Sequence, residues 1–290
     1  MNCNIPNTIY TVTRQTISEF QLDEDNIKRE YIFLTKYIDS DQEHQNNFCK
    51  YEKIYNRYKD ILPFEFNAIN INIGKEENHY INASGINAYQ KNYFIATQGP
   101  KPATIKDFWT MIDEQGCQMI VMLCQLEENK KKKCENYWNT EFVQDIDECD
   151  ETKWIFRRMK HKVPNSNEDR IITQIHFTEW KDKDVPEEEF DKFIDAFECI
   201  DRGRKNKNNQ DTPVVVHCSA GVGRTGTFIS MYYLYKEILR QIKQNKNEIK
   251  FSIFNLVRKL KEMRAYLVQT EDQYVFLYKF VHYFLKKILN

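Results

Sequence analysis

The run Val214-Val215-Val216 meets no polar residue before His217, which predicts a strand buried on both faces at Val214–His217. Strand-like runs also stand at His79–Ala83, Tyr93–Thr97, Met119–Leu123, Trp154–Lys160 and Ile171–Thr178. The last of these alternates apolar and polar positions, as a half-exposed strand does. Elsewhere the apolar spacing changes to three and four. Phe228, Met231, Tyr235, Ile238 and Leu239 share one face of a helix over about 227–242, and the same period marks about 29–38, 104–115, 189–202, 251–265 and 271–288. Strands and helices mixed in this way predict an α+β fold, a twisted mixed β-sheet flanked by α-helices. The Asn/Lys-rich stretches Gly203–Gln210 and Lys243–Lys250, and a tail over residues 1–16, read as exposed loops without chemistry. Residues 17–290 remain as a single domain.

Between the buried strand and the helix after it lies His217-Cys218-Ser219-Ala220-Gly221-Val222-Gly223-Arg224-Thr225-Gly226, with three of the chain's eight glycines. A loop entering a helix N-terminus offers N–H groups without intrahelical partners and the positive end of the dipole, so it favours a dianion and a thiolate. Cys218 at that place reads as a nucleophile. Taking a thiol pKa from about 8.5 to about 5 needs roughly 4–5 kcal/mol, which several charge-assisted hydrogen bonds can supply. Arg224 has the planar fork that grips two phosphate oxygens at once. The amides of Ser219, Ala220, Gly221, Val222 and Gly223 together with Arg224 would carry the charge of phosphoryl transfer with no metal and no cofactor. The glycines also fit a dinucleotide fingerprint, but no strand with an acidic end follows about 20 residues on, and no Gly-Lys-Ser/Thr triplet is present. An inert buried Cys218 would leave Arg224 and the glycines without a purpose.

These residues resemble the His-Cys-x5-Arg-Ser/Thr signature of the cysteine-dependent protein tyrosine phosphatases. The resemblance extends over roughly residues 50 to 285, in the family's order. Asn56-Arg57-Tyr58-Lys59-Asp60-Ile61-Leu62-Pro63 is similar to its phosphotyrosine-recognition loop, Tyr80–Ser84 and Ala96–Pro100 to two core motifs, and Gln269-Thr270-Glu271-Asp272-Gln273-Tyr274 to its glutamine loop. The resemblance implies the phosphatase fold and hydrolysis of phosphotyrosine in proteins through a cysteinyl-phosphate. It gives Tyr58 the task of stacking on the substrate ring, Asp60 that of holding substrate backbone N–H groups, and His217 that of ordering the loop. Thr225 would ease departure of the Cys218 thiolate, and Gln269 and Gln273 would place the attacking water. Expelling tyrosinate, of pKa near 10, calls for a general acid, and by resemblance this is Asp182 in Trp180-Lys181-Asp182-Lys183-Asp184-Val185-Pro186, with Asp184 a weaker rival. The family's proline is replaced here by Lys181, and Lys183 and Asp184 stand where His and Gly are usual, so the loop is expected to be less pre-organised. Glu128, and Lys133 before Cys134, match a loop whose Glu pairs with the catalytic Arg and whose Lys reaches the acid loop. The alternative is a phosphotyrosine-binding pseudophosphatase whose acid loop closes poorly.

Ser219–Gly223 carries no charge, which disfavours the polyphosphorylated lipids met by lysines in related enzymes, and Tyr58 disfavours a shallow dual-specificity cleft. Tyr266 is expected to narrow access beside the pocket, and Lys59, Lys181 and Lys183 to favour acidic residues around the phosphotyrosine. A balance of 42 basic against 43 acidic residues argues against nucleic acid as a partner. The eight cysteines form no C-x-x-C pair, which suits reduced thiols. No apolar run reaches 18 residues. The expectation is a monomeric catalytic domain, cytoplasmic or the cytoplasmic portion of a longer parent, with no direct membrane insertion.

Overall fold

A computed structural model describes residues 9–17, 22–36, 48–49, 53–73, 76–89, 94–151, 153–163, 169–244 and 247–289. In chain order its elements are β1 (Tyr10–Val12), α1 (Glu24–Leu34), β2 (Ala68–Ile73), β3 (Glu76–Ile86), β4 (Phe94–Thr97), α2 (Ile105–Glu114), β5 (Met119–Met122), β6 (Glu127–Glu128), β7 (Lys131–Lys132), β8 (Val143–Glu151) and β9 (Trp154–Lys162). There follow β10 (Asp169–Phe177), α3 (Phe190–Gly203), β11 (Val214–His217), α4 (Gly223–Lys243), β12 (Ile249–Phe251), α5 (Ile253–Lys261) and α6 (Glu271–Leu289).

Eight strands form one mixed sheet in the order β2-β3-β4-β11-β5-β10-β9-β8. Its middle is parallel: β11 lies between β4 and β5 with Val214 opposite Phe94 and Met119, and β10 runs beside β5. Parallel strands are covered on both faces and therefore read as unbroken apolar runs; every residue of β4, β5 and β11 is buried. Antiparallel pairs extend the sheet on both sides, β2–β3 next to β4 and β8–β9 next to β10. This is the α+β architecture expected. Because β11 is central and ends at His217, Cys218 emerges at the carboxyl edge of the parallel strands, where open α/β sheets place their ligands. The helix that follows, α4, is buried along most of its length.

Several elements differ from expectation. The tail does not stay free: Tyr10–Val12 pairs with Ile249–Phe251, burying Val12, Ile249 and Phe251, and strands of three residues are too short to show a period. β2 carries the alternation Ile69, Ile71, Ile73, and β8 is polar almost throughout because it is the exposed outer strand. α1 begins at Glu24, where Asp23 accepts the Asn26 N–H at 3.0 Å; positions 37 and 38 of the expected helix lie outside the described residues, as does Tyr93. α4 starts at Gly223, so Arg224 and Thr225 belong to its first turn.

Candidate active site

The turn from β11 into α4 wraps around the Cys218 sulfur. Cys218 Sγ accepts the Gly221 N–H at 3.3 Å and is 3% exposed. Gly221 has φ 73°, and a Cβ on it would collide with the Thr97 carbonyl, so a side chain is excluded twice over. Burial pushes the thiol up and is the largest influence on it. Arg224, the Thr225 hydroxyl and the N–H groups of Thr225 and Val222 outweigh burial, and Cys218 ends below the ordinary cysteine value. Thr225 Oγ1 is buried with no hydrogen-bond partner of ordinary geometry among the described residues, which leaves its proton free to turn toward the sulfur. His217 is fully buried, and burial drives its pKa down to about 3, so the ring is neutral. Its Nδ1 lies 3.1 Å from the Cys218 carbonyl and its Nε2 2.9 Å from the Tyr137 hydroxyl, which in turn accepts from Gln174 at 2.6 Å. That chain of donors fixes the tautomer: Nδ1 donates to the carbonyl and Nε2 accepts from Tyr137.

Arg224, 2% exposed, donates from Nη1 to Glu128 Oε1 (2.6 Å) and to the Trp180 carbonyl (2.6 Å), and its Nη2 lies 3.4 Å from Asp182 Oδ1. The other Asp182 oxygen accepts from Lys133 Nζ at 2.6 Å. Burial raises the Asp182 carboxyl, but Lys133 and Arg224 pull it further down, below its ordinary value. Glu128 and Lys133 reach these positions from one hairpin. β6 and β7 pair Glu128 with Lys131, and the two residues between them, Asn129 (φ 50°) and Lys130 (φ 60°), form a left-handed turn that suits the twist of a two-residue hairpin. The acid loop is closed on itself: Trp180 Nε1 donates to the Asp184 carbonyl at 2.8 Å, and the indole is buried against Phe177, Phe193 and Phe276. Lys183 holds φ 61°. The Asp184 carboxylate accepts from the Val185 N–H at 2.9 Å, a local turn contact, whereas Asp182 faces the cleft.

The cleft encloses about 180 Å³ and is lined by Tyr58, Asp60, Ile61, Asp182, Lys183, Cys218, Ser219, Ala220, Gly223, Arg224, Gln269 and Gln273. It thus brings together residues separated by more than two hundred positions. The Tyr58 hydroxyl is 3.0 Å from Ser219 Oγ, which donates to the Lys133 carbonyl at 3.1 Å. His217, Trp180, Thr225, Glu128 and Lys133 stand behind the lining, and Tyr266 is not part of it. A larger cavity of about 870 Å³, beside α4 and β12, contains none of these groups.

Further residues complete the site. Arg264, fully buried, supports the turn from beneath, donating to the carbonyls of Gly221 (2.9 Å) and Ala220 (3.2 Å) and to Ser84 and Asn82; burial lowers its pKa to about 10. Gln98 accepts from the Arg57 N–H at 2.8 Å and donates to the Tyr55 carbonyl at 2.7 Å, while Asn82 donates to the Ile61 carbonyl at 2.7 Å, so the two core motifs carry the recognition loop. Gly99 is needed because a Cβ would stand 2.7 Å from the Lys133 carbonyl and 2.8 Å from that of Cys218. Gln273 is buried and bonded at both ends of its amide: Oε1 accepts from the N–H groups of Gln269 (3.0 Å) and Thr270 (3.4 Å), Nε2 donates to the Asp184 carbonyl (3.4 Å), and its own N–H donates to Thr270 Oγ1 (3.2 Å). Thr270-x-x-Gln273 is therefore a reciprocal cap on α6, and the T-x-x-Q spacing is its sequence signal.

The description protein-tyrosine phosphatase fits the chain over residues 52–283. The sequence is 38% identical over 232 residues to the human receptor-type tyrosine-protein phosphatase eta, covering 77% of this chain and 17% of that protein. It is 32% identical over 290 residues to the human tyrosine-protein phosphatase non-receptor type 12, covering 92% of this chain and 35% of that protein. The chain thus spans about a sixth and about a third of these curated relatives. A solved structure of PTPN18, described with HER2 tyrosine phosphorylation sites, superposes with a TM-score of 0.78 at 28% identity over 94% of this chain and 99% of that one. A complex of PTPN18 with HER2 phosphopeptides gives 0.77 at 27% identity, over 92% and 95%.

Proposed function

The chain belongs to the protein-tyrosine phosphatase family, and we propose that it hydrolyses phosphotyrosine in proteins through a cysteinyl-phosphate on Cys218. The observation that carries this reading is the placement of a lowered thiol, a buried guanidinium and a carboxyl around one narrow cleft with a tyrosine at its side.

In the first step the substrate phosphate is received by the N–H groups of Ser219–Arg224 and the Arg224 fork. Cys218 Sγ attacks phosphorus, the S–P bond forms as the P–O bond to tyrosine breaks, and Asp182 gives its proton to the departing oxygen. The two negative charges of the phosphate beside Asp182 oppose the pull of Lys133 and Arg224 and restore the carboxyl's proton. In the second step water attacks phosphorus, Asp182 takes the water's proton, and the thiolate leaves toward the Thr225 hydroxyl. Gln269 holds the water, and Gln273, whose amide is already engaged, holds Gln269.

Against the pseudophosphatase alternative stands Asp182 itself, inside the cleft in a loop fastened through Trp180, Arg224, Lys133 and Gln273. Lys183 in the cleft lining, with Lys59 exposed between the lining residues Tyr58 and Asp60 and Lys181 exposed beside Asp182, supports substrates with acidic residues around the phosphotyrosine. Among the described residues no helix is long and apolar enough to cross a membrane, in keeping with a proposed cytoplasmic location.

The test is hydrolysis of a phosphotyrosyl peptide and of its phosphothreonine counterpart. Turnover of the first at about 1–100 per second, loss in Cys218→Ser, and a fall of about 10²–10⁴-fold in Asp182→Ala are expected. Binding without turnover would sink the enzymatic reading, and equal turnover of both peptides would sink the tyrosine specificity.

A further inference from the structure

Helix α1 touches the active site through two consecutive residues. Glu30, fully buried, accepts from the hydroxyls of Tyr274 (2.7 Å) and Tyr278 (2.5 Å), both on α6. These bonds fix α1 against the first turns of the helix that begins at the glutamine loop. Tyr31, the next residue, packs its ring against Tyr274 with centroids 5.8 Å apart and donates its hydroxyl to the Gln269 backbone carbonyl at 2.5 Å, across 238 positions. The turn that receives this bond needs an external hold. Tyr266 and Val268 both sit in the left-handed region, at φ 64° and 59°, which side chains adopt only where surroundings impose it. Gly226 closes over the same turn so tightly that a Cβ on it would stand 2.5 Å from the Val268 nitrogen. Gln269 is thereby held on both sides of its Cα, its N–H by Gln273 and its carbonyl by Tyr31.

We propose that Tyr31 is a positioning residue for the second half-reaction: its hydroxyl sets the backbone of Gln269 and so the place where the side chain holds the attacking water. The proposal rests on the reading of Cys218 and Gln269 above. Cys218, Arg224 and Asp182 have holds of their own in Gly221, Glu128, Trp180 and Lys133, so loss of this bond falls first on the second half-reaction. Water has fewer anchors than the substrate, Gln269 and Asp182 in place of a whole phosphate cradle, and small displacements of a reacting group are costly in rate.

The experiment is rapid-quench kinetics on a radiolabelled phosphotyrosyl peptide, following formation and decay of the cysteinyl-phosphate in wild type and Tyr31→Phe, with the thermal midpoint of each. Tyr31→Phe keeps the ring and loses only the hydroxyl. Formation at the wild-type rate, with decay about five- to tenfold slower, is the result expected for losing one orienting hydrogen bond. Unchanged decay, or formation and decay slowed in proportion with a lowered midpoint, overturns the role of Tyr31. A wild-type protein that never forms the phosphoenzyme overturns the phosphatase reading itself, a distinct failure seen without the variant.

Discussion

In the proposed mechanism Asp182 must carry a proton to expel tyrosinate, yet Lys133 and Arg224 hold its carboxyl below the ordinary range against the opposing effect of burial. The same cations that place the acid therefore limit the pH at which it works. In Lys133→Met the protonated form regains ground, and the alkaline limb of the kcat profile is expected to move to higher pH. The maximum should fall by about tenfold as the carboxyl loses a charge-assisted tether; an unmoved limb would show that Lys133 does not tune the acid. Cys218 and Arg224 were legible because their chemistry fixes their spacing around a phosphate. Arg264 was not: in the sequence it is one more cation near the end of an amphipathic helix, and only the fold shows it buried under Gly221. Gln273 was legible as part of the glutamine loop, but its capping role lay in a T-x-x-Q spacing read only for catalysis.

At the scale of elements, the β6–β7 hairpin delivers Glu128 to Arg224 and Lys133 to Asp182, and its turn residues are Asn129 and Lys130, both left-handed. Asn-Gly is the favoured pair for that turn, and a side chain in the left-handed region costs about 1–2 kcal/mol. Lys130→Gly should then stabilise the protein by about 0.5–1 kcal/mol after glycine's greater unfolded-state entropy is subtracted. The thermal midpoint is the measurement, and a lowered midpoint would mean that Lys130 makes a compensating contact. Strands β5 and β11 were legible because burial on both faces leaves an apolar run, and β10 by its alternation; all three fall within a residue or two of their expected places. The outer strand β8 was not, since it is polar almost throughout. The β1–β12 pair was missed because its three-residue strands gain their meaning only from each other.

For the molecule as a whole, two buried histidines set the acid response. Burial lowers His217 to about 3 and His176 to about 4, against an ordinary value of about 6.5. Below about pH 6.5 the unfolded chain binds both protons and the folded protein does not, so stability falls with pH by up to about 1.4 kcal/mol per unit for each histidine. Asp182, lowered, adds to the loss at more acid pH, while Glu30, raised by burial, opposes it, its contribution being lost as pH rises through its raised value. The thermal midpoint should therefore hold steady from about pH 8 to 7 and drop below about 6. A flat profile down to about pH 5 would mean the imidazoles are not held neutral. The Gln273 amide has a consequence at this scale as well, because one end holds the acid loop at Asp184 and the other holds the turn of Gln269. An inhibitor that wedges the acid loop outward would also loosen that turn, so a compound aimed at leaving-group departure would act equally as a brake on hydrolysis.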